Sequence, residues 1–181
     1  MTDARRPLLE RIRSIWATAP QAAAVELLRV GLGCVWALNL VFVLAPSNQF
    51  FSTFADTALS FEPTTLGGPG VADFVAANAV VFSAAIAGTT AYLAVALLLG
   101  ATTRLACWIG IAFSSVLLLT QVGSTFLIPG GTDVGPHPLY LLIYLVLILG
   151  RAGRYFAFDH WMWERGHVRF PRLSRWVASP R

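Results

Sequence analysis

The chain has 181 residues, of which 56% are hydrophobic and only 12% charged, and its mean hydropathy is +0.67. A soluble domain carries about 25% charged residues, so this composition excludes intrinsic disorder and argues against an ordinary soluble globule. All thirteen basic residues are arginine; the lack of lysine excludes a Walker A phosphate loop and pyridoxal or retinal Schiff bases.

Residues 1–21 form a first segment, expected on the cytoplasmic side. Leu8, Leu9, Ile12, Ile15 and Trp16 fall at helical spacing, with Arg5, Arg6, Arg11 and Arg13 mostly elsewhere, which predicts an amphipathic helix lying in the membrane interface. Residues 22–151 are expected to form a membrane domain. Asp, Glu and Arg are absent from Val30–Ala55, Phe74–Thr103, Leu105–Thr132 and Val134–Gly150. A bilayer core of about 30 Å needs about 20 helical residues, so four spans are expected near 22–44, 78–100, 104–121 and 136–150. Pro20 suits the first turn of span one. Phe50, Phe51 and Phe54, in the long loop after span one, suggest a short helix on the outer surface. Phe74–Thr103 is too long for one perpendicular span, so its first turns are expected outside the bilayer or the helix strongly tilted. The fourth span is short, and Arg151 is expected to reach the headgroups. Residues 152–181 form an Arg- and Trp-rich tail, in which Trp161, Trp163, Phe170 and Trp176 alternate with arginines. Beside a membrane span this composition fits an aromatic belt and anionic lipid, with no nucleic acid as partner.

Every arginine lies before or at the opening of span one, in the link between spans two and three (Arg104), or in the tail; the loops at about 45–77 and 122–135 carry none. Basic residues stay on the cytoplasmic side, which places both termini in the cytoplasm of a bacterial or archaeal inner membrane. The fold class expected is therefore an all-α integral membrane protein with a four-transmembrane-helix bundle.

Polar groups inside a bilayer are costly, so each is a candidate for a role. Glu26 and Arg29 stand at i, i+3 and can pair as a structural interface. Asn39 and the pair Ser114, Ser115 fall at similar depth and suggest an interhelical hydrogen-bond cluster. Ala84, Gly88 and Ala91 suggest a small-residue face for close packing of span two. His137, Tyr140 and Tyr144 occur at i, i+3 and i+7 at the outer end of span four, with Asp133 one turn away. An imidazole and phenols on one face can hydrogen-bond a quinone carbonyl and pass protons; routine interfacial anchoring is the alternative. No catalytic residue is assigned. The histidines His137, His160 and His167 have no metal-ligand spacing, and Cys34 and Cys107 read as small buried packing residues. Neither a metal nor a covalent cofactor is expected; the cofactor the pattern accommodates is a quinone.

Three runs carry a family resemblance. Leu28-Arg29-Val30-Gly31-Leu32-Gly33 is similar to an L-R-x-x-L-G opening, Leu99-Gly100-Ala101-Thr102-Thr103-Arg104-Leu105-Ala106 to L-G-x-x-T-R-x-A, and Gly150-Arg151-Ala152-Gly153-Arg154-Tyr155-Phe156-Ala157-Phe158-Asp159 to a closing G-x-G-R-x-x-x-x-D. In that order they resemble the DoxX/DoxD family, over about 130 residues. The resemblance implies a four-helix membrane bundle, structural roles for Arg104 and Asp159 within the motifs, and kinship with the small membrane subunit of thiosulfate:quinone oxidoreductase. The family often has a lysine near the outer end of span one and an acidic residue within span two; here those regions read Asn39-Leu40-Val41-Phe42-Val43 and Thr89-Thr90-Ala91. The missing charges shift weight toward a scaffold. The expected function is a membrane subunit of a quinone-linked oxidoreductase complex, working in the lipid bilayer with other subunits. The alternatives are a non-catalytic accessory or assembly subunit of a larger inner-membrane complex, and a small permease or channel.

Overall fold

A computed structural model describes residues 19–60, 69–120 and 137–153. Among the described residues the chain is helical throughout, without strands. Helix α1 spans Pro20–Leu44, a 3-10 turn Pro46–Asn48, α2 Phe50–Ser60, α3 Pro69–Ala77, α4 Ala79–Leu99, α5 Thr103–Thr120 and α6 His137–Leu149. Residues 1–18, expected as an interfacial helix, the glycine-rich run at 61–68, residues 121–136 with Asp133, and the tail from 154 with Asp159 lie outside the described residues.

Two helices, α1 and α4, are long and apolar enough to cross a membrane. At about 1.5 Å rise per residue they are about 37 and 31 Å long. Residues 103–118 of α5 and the whole of α6 are shorter apolar helices. α1 starts with Pro20 in its first turn, where the missing N–H has no helical partner to lose. α4 ends where Gly100 turns left-handed at φ 63°, and the Ala101 N–H then closes on the Ala96 carbonyl at 2.9 Å. A glycine takes that backbone without steric cost, which lets the chain reverse within three residues into α5.

Helices α1, α4, α5 and α6 share one core. α1 contributes Leu32 and Trp36, α4 Leu93, Ala94, Ala96 and Leu97, α5 Ala106 and Cys107, and α6 Tyr140, Tyr144 and Leu147. The helices run alternately up and down: the C-terminus of α4 lies beside the start of α1, and so does the end of α6. A second, smaller cluster joins Val43 at the far end of α1 to Phe50 and Phe54 of α2, with Val75, Phe82 and Ile86 packed against it. It holds the α2–α3 cap against the far end of α1 and α4, the end away from Arg29.

Two expectations need correction, and the charge-free stretch from Phe74 is resolved into two helices. It divides at Asn78, whose backbone leaves helical geometry at φ −112°, ψ 30°, so α4 opens beside the expected start of span two at 78. The Asn78 side-chain amide donates to the Phe74 carbonyl at 2.8 Å, competing with the helical ladder as asparagine does at helix ends. The small-residue face of span two does not meet a neighbouring helix. Ala84 and Gly88 are exposed, and a Cβ on Gly88 would meet nothing within 4 Å, because α4 turns Ser83, Thr90, Leu93 and Leu97 inward instead. The close approach is made by Gly33 of α1, where an added Cβ would stand 2.9 Å from the Leu98 backbone nitrogen. Finally, Cys107 is buried but Cys34 is exposed.

Candidate functional site

Two polar clusters stand inside the bundle, one at each level. The first gathers the ends of three helices. The Glu26 carboxylate and the Arg29 guanidinium pair on α1, Nε to Oε2 at 2.8 Å, with both side chains almost fully buried. The last carbonyls of a helix have no intrahelical donor. At the end of α4, Ala96 is served by Gly100 and Ala101, and Arg29 Nη1 donates to the carbonyls of Leu97 and Leu98. A cation placed there also opposes the negative end of the helix dipole. The remaining carboxylate oxygen of Glu26 accepts the backbone N–H of Gly153 at 2.8 Å. Gly153 reaches it through a chain reversal with Arg151 at φ 53° and Gly153 at φ 87°. The three sequence runs around Arg29, Gly100 and Gly153 therefore converge on one charged knot. Arg104, half-buried, stands just inside the first turn of α5 nearby in sequence, and the adjacent Thr102 hydroxyl bonds the Tyr92 phenol at 2.8 Å, tying that turn back to α4.

The second cluster lies further along the bundle. His137, Tyr140 and Tyr144 are all buried on the inner face of α6, at 5%, 4% and 0% exposure. The imidazole and the Tyr140 ring meet edge to face at 6.1 Å between centroids. Trp36 packs on the same Tyr140 ring at 5.6 Å and on Phe113 of α5 at 5.7 Å. These are spacings at which aromatic pairs attract beyond simple contact. Tyr144 fills the space beside Gly110. Asn39 is buried one turn beyond Trp36, and Ser114 is wholly buried on α5. The expected bond from Ser114 to another helix is not made: its hydroxyl has no hydrogen-bond partner among the described residues, and neither has Trp36 Nε1.

The structure thus brings together His137, Tyr140 and Tyr144, with Asn39 and Ser114 buried in the same bundle, and keeps Glu26 and Arg29 apart from them in a knot of their own. Gly88 belongs to neither cluster, and Asp133 lies outside the described residues. Trp36 and Phe113 carry the walls of the second cluster and were not singled out by the sequence. Trp36 could have been found: it stands seven residues from Arg29 and three from Asn39, so one stripe of α1 holds all three. Among the described residues no group of three or more His, Cys, Asp or Glu side chains could hold a metal ion. Chemically, the second cluster combines an imidazole and two phenols with the rings of Trp36 and Phe113, without a fixed charge of its own.

Comparison with family models, curated proteins and solved structures returns no match.

Proposed function

We propose that the chain is a four-span membrane protein, and a membrane subunit of a quinone-linked oxidoreductase complex, with the quinone seated against His137, Tyr140 and Tyr144. The membrane part of this reading is supported by inverted polarity. Leu27, Leu38, Val41, Phe42, Val80, Leu142 and Leu149 are exposed, while Glu26, Arg29, Asn39, Ser83, Thr90, Ser114 and His137 are buried. In water, exposing so much contiguous apolar surface invites association; in lipid it is the favoured outside, and buried polar groups then join helices. The quinone part is carried by one observation: an imidazole edge to face with a phenol, inside the bundle and walled by Trp36. A planar neutral ring carrying carbonyl oxygens needs aromatic or apolar faces and donors at its edge, and its reduction to the hydroquinone, with two electrons from a partner subunit, needs two protons, which an imidazole can relay.

The test is quinone analysis of protein purified in mild detergent. Wild type should carry quinone in near-stoichiometric amount, and His137→Ala should lose most of it. Quinone-free wild type that still assembles with other subunits supports the second reading, an accessory subunit. One observation favours that second reading. The only acidic side chain in α1, α4, α5 and α6 is Glu26, and its carboxylate is already engaged by Arg29 and Gly153.

A further inference from the structure

Helices α4 and α6 end at the same level of the bundle, beside the start of α1, and both end in the same way. At α4, Gly100 is left-handed at φ 63°, and the next N–H, from Ala101, closes on the Ala96 carbonyl at 2.9 Å. At α6 the left-handed residue is Arg151, at φ 53°, and the next N–H, from Ala152, closes on the Leu147 carbonyl at 2.9 Å. Glycine is the usual residue at this position of the motif. An arginine there carries the steric cost that a Cβ imposes on a left-handed backbone, and a strained residue of this kind is a pointer to function.

The Arg151 side chain does nothing for the helix that it closes. The carbonyls of Val146, Leu147 and Ile148 already accept the N–H groups of Gly150, Ala152 and Arg151, so they need no guanidinium as a cap. Arg151 is exposed, and its guanidinium makes no hydrogen bond or ion pair among the described residues. The Glu26 carboxylate, at the same end, is engaged by Arg29 and Gly153. The outward face of α6 carries Leu142, Leu145 and Leu149, all exposed, and Leu149 stands two residues before Arg151. In a bilayer the guanidinium therefore follows directly on the last lipid-facing leucine, where an arginine stem lies along apolar surface and its head reaches the polar layer.

We propose that Arg151 binds the headgroup phosphate of an anionic lipid in the cytoplasmic leaflet. The proposal rests on the four-span membrane reading and is independent of the quinone. A guanidinium meets phosphate oxygens through two parallel N–H bonds. Phosphatidylglycerol is favoured over phosphatidylcholine, because the choline places a cation beside the same phosphate, and because anionic lipid attracts basic residues next to a span. The backbone on both sides of Arg151 is held, by the closing bonds of α6 and by Gly153 on Glu26, so its Cβ leaves the bundle in one fixed direction. Glycine would close α6 with less strain and bind nothing.

The experiment uses the full chain in dodecyl maltoside, an uncharged detergent without phosphate, titrated with dioleoylphosphatidylglycerol, dioleoylphosphatidylcholine or inorganic phosphate. The readout is the midpoint of thermal unfolding. Phosphatidylglycerol should raise the wild-type midpoint, and neither phosphatidylcholine nor inorganic phosphate should match it. Arg151→Gly should start about 2–4 °C above wild type without lipid, because it relieves the left-handed backbone. It should also need about 5-fold more phosphatidylglycerol for half of its shift, the equivalent of one basic contact at an anionic surface. Arg151→Gln keeps the strain and loses the charge, so it should start no higher than wild type and need the same extra lipid. If both variants respond to phosphatidylglycerol as wild type does, the assignment to Arg151 is wrong. If inorganic phosphate serves as well as the lipid, the site takes a soluble anion and the lipid assignment is wrong. A chain that stays monodisperse in water without detergent would remove the four-span reading itself, whereas a chain that needs detergent yet shows no lipid preference removes only this inference.

Discussion

The ring of Tyr144 occupies the space in which a Cβ on Gly110 would stand. This contact fixes how closely α5 and α6 approach. It does so against the phenol end of a side chain that is fully buried.

Gly110→Ala should therefore destabilise the protein by about 1–3 kcal/mol, the usual cost of overpacking. Gly88→Ala, on a face where an added methyl meets nothing, should be neutral or gain up to about 1 kcal/mol from helix propensity. Thermal unfolding of both variants in one detergent checks the contrast. Equal midpoints would show that α5 and α6 are not held at this spacing.

Glu26→Gln should cost about 3–5 kcal/mol, because it strands the buried Arg29 charge. The amide still offers an oxygen to Gly153, so the loss reports the charge and not the backbone bond. Glu26→Gln combined with Arg29→Met should lose less than the sum of the single changes, since neither charge is then left alone. A denaturation cycle on the four proteins measures the coupling; strict additivity would mean the pair is solvated.

Gly100→Ala should cost about 1 kcal/mol, through the left-handed backbone that closes α4. Gly100→Asn, which tolerates that conformation better, should cost less. The order of the two unfolding midpoints is the readout, and a reversed order would contradict the cap.

Reporter fusions test the membrane reading directly. Fusions after Glu62 and Asp133 should report export, and fusions after Gly100 and Arg181 the cytoplasm, as the arginine distribution requires. A cytoplasmic signal at Glu62 would overturn the proposed four-span arrangement.

The helices themselves were legible as long apolar runs closed by turn residues: Pro20–Leu44, Ala79–Leu99, Thr103–Thr120 and His137–Leu149 start and end within two residues of the segments expected at 22–44, 78–100, 104–121 and 136–150. Which face each helix turns inward was legible only where a polar residue sets the phase. On α1, Glu26, Arg29 and Asn39 are all buried, and the stripe they define contains Trp36. α4 has no charged residue and is apolar nearly all round, so its periodicity carries little phase; only the hydroxyls of Ser83 and Thr90, seven residues apart and both buried, mark its inner face. Small residues occur on several of its faces, and the pattern at Ala84, Gly88 and Ala91 gave no sign of facing outward. The interruption at Asn78 depends on one side-chain bond to Phe74, a local choice that composition does not announce. Phe113 joined the site only through Trp36, whose ring meets both Phe113 and Tyr140, contacts between three helices that no single stretch of sequence displays.

The Glu26–Gly153 bond joins residues 127 positions apart, and this has a temporal side. At about 5–20 residues per second, a ribosome needs roughly 6–25 s to travel from one to the other. Through that interval the first helix carries a carboxylate whose backbone donor has not been made. Arg29 can shield it at once, being only three residues away, and the α4 carbonyls arrive midway. The last bond forms only after α6 has been completed and the chain has turned back at Arg151. The knot is thus a latch that shuts last, and a chain arrested before Gly153 would hold a bundle still open at that end.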